Sequence, residues 1–296
     1  MPKTNYYLQV NKKNTNFRLK SEPQQTAVII LGMHRSGTSA LARIINLLGV
    51  DLGTDLMEGA KDNNERGFWE HRKIVNRHEQ LFSDLGMSWN DIRKMPSGWL
   101  EYSATYDALN DLQSIIYDEF NTATLWGIKD PRMCRLLPLW RKILAAFKMR
   151  VTVLHMLRHP LEIACSLKCR DKMSSEQALM LLLRYQTEAV CGSKGIRQSW
   201  TSFDQILANW RDEIRRIDSE LNLGLVHQMH NATDKIESFL DKKLRHHIID
   251  DKELNIELQF VNWIKKLHNA VMLTNNNNSI SYLTSIKKIQ KEIKLC

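Results

Sequence analysis

Apolar residues in this chain fall into a few short continuous runs, separated by longer stretches in which they recur every three or four positions. Thr26–Leu31 (TAVIIL) is a β-branched run broken at Gly32, the pattern of a strand buried on both faces. Residues 39–48 then keep helical spacing and stop at Gly49. A polar, charged stretch over 51–66 leads to Gly67-Phe68-Trp69-Glu70-His71 and a helical pattern through Leu85. Residues 124–129 (TLWGIK) and Arg150–Leu157 (RVTVLHML) read as two further strands, with a helix over 136–147 between them. Helices over 161–168 and 175–191, a strand over 197–203 and a helix over 205–221 complete the alternation. It predicts an α/β fold with a doubly wound parallel sheet flanked by helices.

The core is expected to end near Leu223, which divides the chain into a polar extension over 1–24, a main domain over 25–223 and a helical C-terminal extension over 224–296. That last part holds a four-Asn linker at 275–278. Beyond it Ile280, Leu283, Ile286, Ile289 and Ile293 form an apolar stripe among lysines, expected to pack on the core, with a partner or membrane-surface contact through 280–293 as the alternative. At 296 residues, 43% hydrophobic, the chain is long enough for one sizeable core. The net charge of +9 suits anionic ligands without choosing among them. No basic-aromatic module speaks for nucleic acid. The N-terminus lacks the apolar core of a secretory signal, no run is long enough to span a bilayer, and five scattered cysteines form no CxxC pair. A reduced, cytoplasmic protein with no metal site is the expectation.

The chemistry concentrates in Gly32-Met33-His34-Arg35-Ser36-Gly37-Thr38-Ser39. Two glycines at Walker interval, between a strand and a helix, let successive backbone N–H groups converge on a phosphate at the positive end of the helix. The fold is thus of P-loop type. Thr38 stands where a nucleoside-triphosphate enzyme carries its phosphate-reaching lysine, which counts against γ-phosphoryl transfer. Arg35 supplies the cation instead, and Thr38 and Ser39 add hydroxyls. A second junction, Arg158-His159-Pro160-Leu161-Glu162-Ile163-Ala164-Cys165-Ser166, puts an arginine at a strand end and a serine about two turns into the next helix.

Together, GMHRSGTS and LRHPLEIACSL resemble the PAPS-dependent sulfotransferase superfamily (PAPS is 3′-phosphoadenosine 5′-phosphosulfate), in particular its bacterial carbohydrate-type members and the tyrosyl-protein and Golgi enzymes. The resemblance covers roughly residues 28–210. It implies that Arg35, Ser36, Gly37, Thr38 and Ser39 hold the 5′-phosphosulfate, and Arg158 and Ser166 the 3′-phosphate. In Lys129-Asp130-Pro131-Arg132 it implies that Lys129 stabilises charge on the transferred group, as in the tyrosyl enzymes, while Arg132 binds the acceptor or pairs with Asp130. It also places a catalytic glutamate beyond the first helix. Glu70 is the first candidate for the base, His71 the second and Glu58 the third, and Arg35 and Lys129 are the charge-neutralising groups.

PAPS is the implied donor, PAP (3′,5′-adenosine bisphosphate) the product, and a hydroxyl-bearing saccharide or glycolipid the implied acceptor. Phe68, Trp69, Trp89 and Trp99 suit a sugar-stacking wall, and Arg184 and Tyr185 an approach to the nucleotide. Ser202-Phe203-Asp204-Gln205-Ile206 resembles the superfamily's later strand-to-helix turn, which is mainly architectural. The competing classes are a P-loop kinase of a small molecule or glycan and a non-catalytic nucleotide-binding protein.

Overall fold

The computed structural model describes residues 25–60 and 64–240. Four strands, β1 (Thr26–Leu31), β2 (Leu125–Lys129), β3 (Arg150–Leu157) and β4 (Arg197–Ser202), form one parallel sheet in the order β2-β1-β3-β4. The chain leaves β1 toward one edge and returns past it toward the other, so the sheet is doubly wound. Its faces follow from the two-residue period of a strand. Ala27, Ile29 and Leu31 of β1 point to one apolar cluster; Val28 and Ile30 point to the other.

Helices α2 (Arg72–Asp84), α3 (Ser103–Phe120), α4 (Met133–Ala146), α5 (Pro160–Asp171) and α6 (Ser175–Gly192) close the first face. Helices α1 (Thr38–Leu47), α7 (Phe203–Leu221) and α8 (Met229–Phe239) close the second. The strands and helices expected from the pattern are present, with ends moved by a few residues. Helix α3 is additional: its buried positions Thr105, Ala108, Leu112, Ile116 and Phe120 form a narrow stripe on an otherwise polar helix. The apolar contacts do not stop at Leu223, because Leu225, Met229, Ala232 and Ile236 join the cluster built by α1 and α7. The 275–278 linker and the 280–293 stripe lie outside the described residues. Among those described, no helix is long and apolar enough to cross a membrane.

The register brings the chemistry to one edge. Ile30 pairs with Lys129 and Leu31 with His155, so the carboxyl ends of β1, β2 and β3 lie side by side. The phosphate-loop motif, Lys129 and Arg158 all leave the sheet there, in the crevice where open parallel sheets bind ligands.

Candidate active site

The loop after β1 is shaped by contacts that only glycine permits. A Cβ on Gly32 would lie 2.7 Å from the Ser36 hydroxyl and 2.8 Å from the Met156 carbonyl. Gly37 has φ +93°, and a Cβ there would lie 2.5 Å from the Phe203 ring. Arg35 also takes a left-handed conformation, φ +70°, uncommon outside glycine and concentrated at functional sites. The Ser36 hydroxyl donates to the Met33 carbonyl at 2.7 Å and closes the turn. Helix α1 then starts with no side-chain cap and no acidic residue in its first turn, so its positive end faces the loop without a protein anion on it.

The two sequence motifs touch. Arg35 Nε donates to Ser166 Oγ at 2.7 Å, joining the loop to α5, and Arg158 Nη1 donates to the Arg35 carbonyl at 3.0 Å. Arg158 is aimed by Glu162, whose buried carboxylate accepts from Nε at 2.8 Å, and by the Phe203 ring 5.0 Å from its guanidinium carbon. Its Nη2 is buried and has no hydrogen-bond partner among the described residues. Burial, with Arg170 and Arg158 close by, lowers the Arg35 pKa to about 10. Three arginines thus concentrate positive charge around one place.

Lys129 stands at the end of β2, buried at 3% exposure. Its ammonium donates to Ser39 Oγ at 3.1 Å, to the Phe68 carbonyl at 3.0 Å and to Glu70 Oε1. Glu70 is equally buried, and its other oxygen lies 3.9 Å from Arg132 Nη1. Burial raises the Glu70 pKa against the pull of Lys129. Arg132 pairs with Asp130 at 2.8 Å and with Glu79, while the backbone N–H of Arg132 donates to Asp130 at 3.0 Å. Of the two roles open to Arg132, the pairing with Asp130 is therefore present. Burial opposes ionisation of Asp130, but Arg132 and His78 outweigh it and hold that carboxyl well below the usual range.

The three candidate bases are separated. His71 is the first residue before α2 and turns to the Glu119 carboxylate, 3.4 Å from Nε2, and to the Phe120 ring. Glu58 is exposed. Glu70 alone among the three contacts Lys129.

The expected aromatic wall is also divided. Trp99 lies in the core, and Trp69 is covered by the Arg43 guanidinium at 4.2 Å. Phe68 contributes its carbonyl. Trp89 stays beside the loop, its ring 4.5 Å from that of His34, with Arg170 over it at 5.3 Å. Tyr185 and Arg184 brace this segment by donating to the carbonyls of Trp89 and Ile92, at 2.6 and 3.0 Å.

Four contributors went unnoticed in the sequence: Asn64, Glu162, Phe203 as a site residue, and His34. Asn64 accepts from Arg35 at 3.2 Å and donates to Ser39 at 3.4 Å, spanning the loop. Glu162 lies in the first turn of α5, four residues after Arg158 at the strand end, and that closeness was the one available signal. His34 Nε2 is buried without a hydrogen-bond partner among the described residues, and burial together with Arg132, Arg170 and Lys129 keeps its pKa well below the usual value.

No protein-family profile matches the chain, and no curated protein matches it. Two solved structures are similar in course. One is the sulfotransferase domain of the Synechococcus PCC 7002 olefin synthase, at TM-score 0.45 and 16% identity, covering 80% of this chain and 90% of that one. The other is a sulfotransferase from Mycobacterium tuberculosis H37Rv, at TM-score 0.43 and 12% identity, covering 82% of this chain and 76% of that one. Likenesses this distant decide nothing about chemistry, and the functional reading rests on the residues above.

Proposed function

We propose that this chain is a sulfotransferase that moves a sulfuryl group from PAPS to the hydroxyl of a saccharide or glycoconjugate and releases PAP. The observation that carries the reading is the junction of the two motifs. Arg35 reaches Ser166, Arg158 reaches the Arg35 carbonyl, and Arg158 Nη2 is left buried with no acceptor among the described residues. A buried guanidinium N–H without a partner is costly, and a ligand phosphate oxygen would satisfy it. A nucleoside triphosphate needs one anion cradle after β1; a nucleotide carrying both a 5′-phosphosulfate and a 3′-phosphate needs a second one beside it. Thr38 in place of the Walker lysine supports the same choice.

In this reading the loop amides, Thr38 and Ser39 hold the 5′ side, and Arg158 and Ser166 the 3′ side, with Arg35 between them. The acceptor oxygen attacks sulfur in line and the sulfur–oxygen bond to the phosphate breaks, its electron pair staying on the phosphate oxygen of PAP. The hydroxyl proton passes to Glu70. Lys129 neutralises charge on the sulfuryl and bridging oxygens. Its three N–H groups are engaged by Ser39, Phe68 and Glu70, so donor binding exchanges at least one of these contacts. A saccharide acceptor is favoured by Trp89, a half-buried aromatic beside the loop, if Arg170 moves off its ring when the acceptor binds.

Titrating PAP and adenosine 5′-phosphate into the wild type and Arg158→Ala tests the assignment. The wild type is expected to prefer PAP by roughly 10-fold or more, the worth of a charge-assisted hydrogen bond, and Arg158→Ala to lose that preference while remaining folded. Equal affinity of the wild type for the two nucleotides would remove the 3′-phosphate assignment.

A further inference from the structure

Behind the site runs a chain of buried polar groups that the reaction scheme does not use. Trp140, fully buried on α4, donates its indole N–H to His78 Nε2 at 2.9 Å. An indole nitrogen only donates, so Nε2 must present its lone pair and the ring hydrogen of His78 sits on Nδ1. Nδ1 lies 2.7 Å from Asp130 Oδ2, and the Nδ1–H therefore donates to that carboxylate. The second oxygen, Oδ1, accepts from the Arg132 side chain and from its backbone N–H. Arg132 in turn reaches Oε2 of Glu70, whose Oε1 is held by Lys129. Every member from Trp140 to Glu70 is partnered, and the series crosses from α4 through α2 to the carboxyl end of β2.

We propose that Trp140 and His78 are positioning residues for Glu70: Trp140 fixes the His78 tautomer, His78 and Asp130 fix the Arg132 guanidinium, and Arg132 sets its charge beside the second oxygen of the base. This rests on the reading of Glu70 as the base. Two things follow from the geometry. The carboxylate is hydrogen-bonded at Oε1 by Lys129 and flanked at Oε2 by the Arg132 guanidinium 3.9 Å away, which orients it between two cations. Its protonation is also governed at a distance, because the guanidinium beside it favours the charged form. The charged and titratable groups around Glu70 are Lys129, Asp130 and Arg132, and those around Arg132 are Asp130, Glu79, Glu70 and Tyr185. Were His78 to flip or lose its hydrogen at Nδ1, Asp130 would lose a donor and turn more fully to Arg132, drawing the guanidinium away from Glu70.

The test reads the relay first without turnover. Nitrogen-15 NMR of the ligand-free wild type is expected to show His78 protonated at Nδ1 and bare at Nε2; a proton on Nε2 instead would overturn the proposal. Carbon-13 titration of the Glu70 carboxyl is then compared in the wild type, Trp140→Phe, His78→Leu and His78→Asn. In Trp140→Phe and His78→Leu the Glu70 titration is expected to move up by roughly half a unit or more, and kcat to fall about 10-fold or more. The acid limb of kcat should move with the titration, and PAP affinity should stay put. His78→Asn, whose amide can donate from the place of Nδ1, is expected to return the titration toward the wild-type value. An unmoved Glu70 titration in both Trp140→Phe and His78→Leu would contradict the relay even if kcat fell. A wild type that binds no PAP would overturn the sulfotransfer reading, while the tautomer and the titration still decide the relay.

Discussion

Glu70 is where burial and charge compete most directly. Burial pushes its carboxyl toward the neutral form, Lys129 pulls it back, and the net direction is upward. As a base it works only when ionised, so activity rises with pH through the raised pKa and is lost as pH falls through it. The acid limb of the pH–kcat profile is therefore expected above about 4.3, the ordinary glutamate value; a limb at or below that value would contradict the buried, desolvated carboxylate. Glu70→Gln should retain PAP binding and lose transfer by about 10²- to 10⁴-fold, the worth of a positioned base. Near-normal turnover would move the role elsewhere, though not readily to His71, which faces Glu119. At this scale the sequence exposed those residues that sit inside recognisable local patterns. Arg35, Ser39, Lys129 and Arg158 follow strand ends or glycines, Ser166 sits two turns into the helix after Arg158, and the structure brings them to one place. Asn64 had no such frame, because its partner Arg35 lies 29 residues away across a polar stretch. Nor did His78: its contacts to Asp130 and Trp140 span 52 and 62 residues.

The elements differ in how plainly their residues announce them. Strands β1 and β3 were legible because a sheet covered on both faces favours near-continuous apolar runs, and both are mostly Val, Ile, Leu and Met, whereas β4 (RQSWTS) has only Trp200 and was placed by the alternation of elements around it. Helix α5 was marked by Pro160 at its first position, whereas α7 was expected from 205 and starts at Phe203, behind a capping box of Ser202 and Gln205 that the structure shows. Helix α3 was missed although its buried positions keep helical spacing, because Thr105 and Ala108 carry little apolar signal and Asp, Glu, Asn, Gln and Tyr surround the stripe. The capping box carries its own prediction, because it starts the helix whose first residue, Phe203, packs on Gly37 and lies under Arg158. Ser202→Ala is expected to cost about 1 kcal/mol of stability, read by denaturant unfolding, and to weaken PAP binding. A loss of stability with binding fully retained would separate Phe203 from the nucleotide side of the site.

For the whole molecule, the sheet order explains why residues far apart in sequence meet. With β1 between β2 and β3, the three carboxyl ends deliver the loop, Lys129 and Arg158 to one crevice, and the chain's charge of +9 includes the arginines gathered there. The same sheet could have hosted triphosphate chemistry; what separates the alternatives in the proposed reading is the second anchor assigned to Arg158 and Ser166 and the threonine at position 38. Thermal unfolding with saturating PAP, set against ATP with Mg²⁺, tests that distinction most directly. PAP at about 100 times its dissociation constant is expected to raise Tm by roughly 5 °C or more, with ATP and Mg²⁺ giving little. Strong stabilisation by ATP and Mg²⁺ with none by PAP would contradict the account.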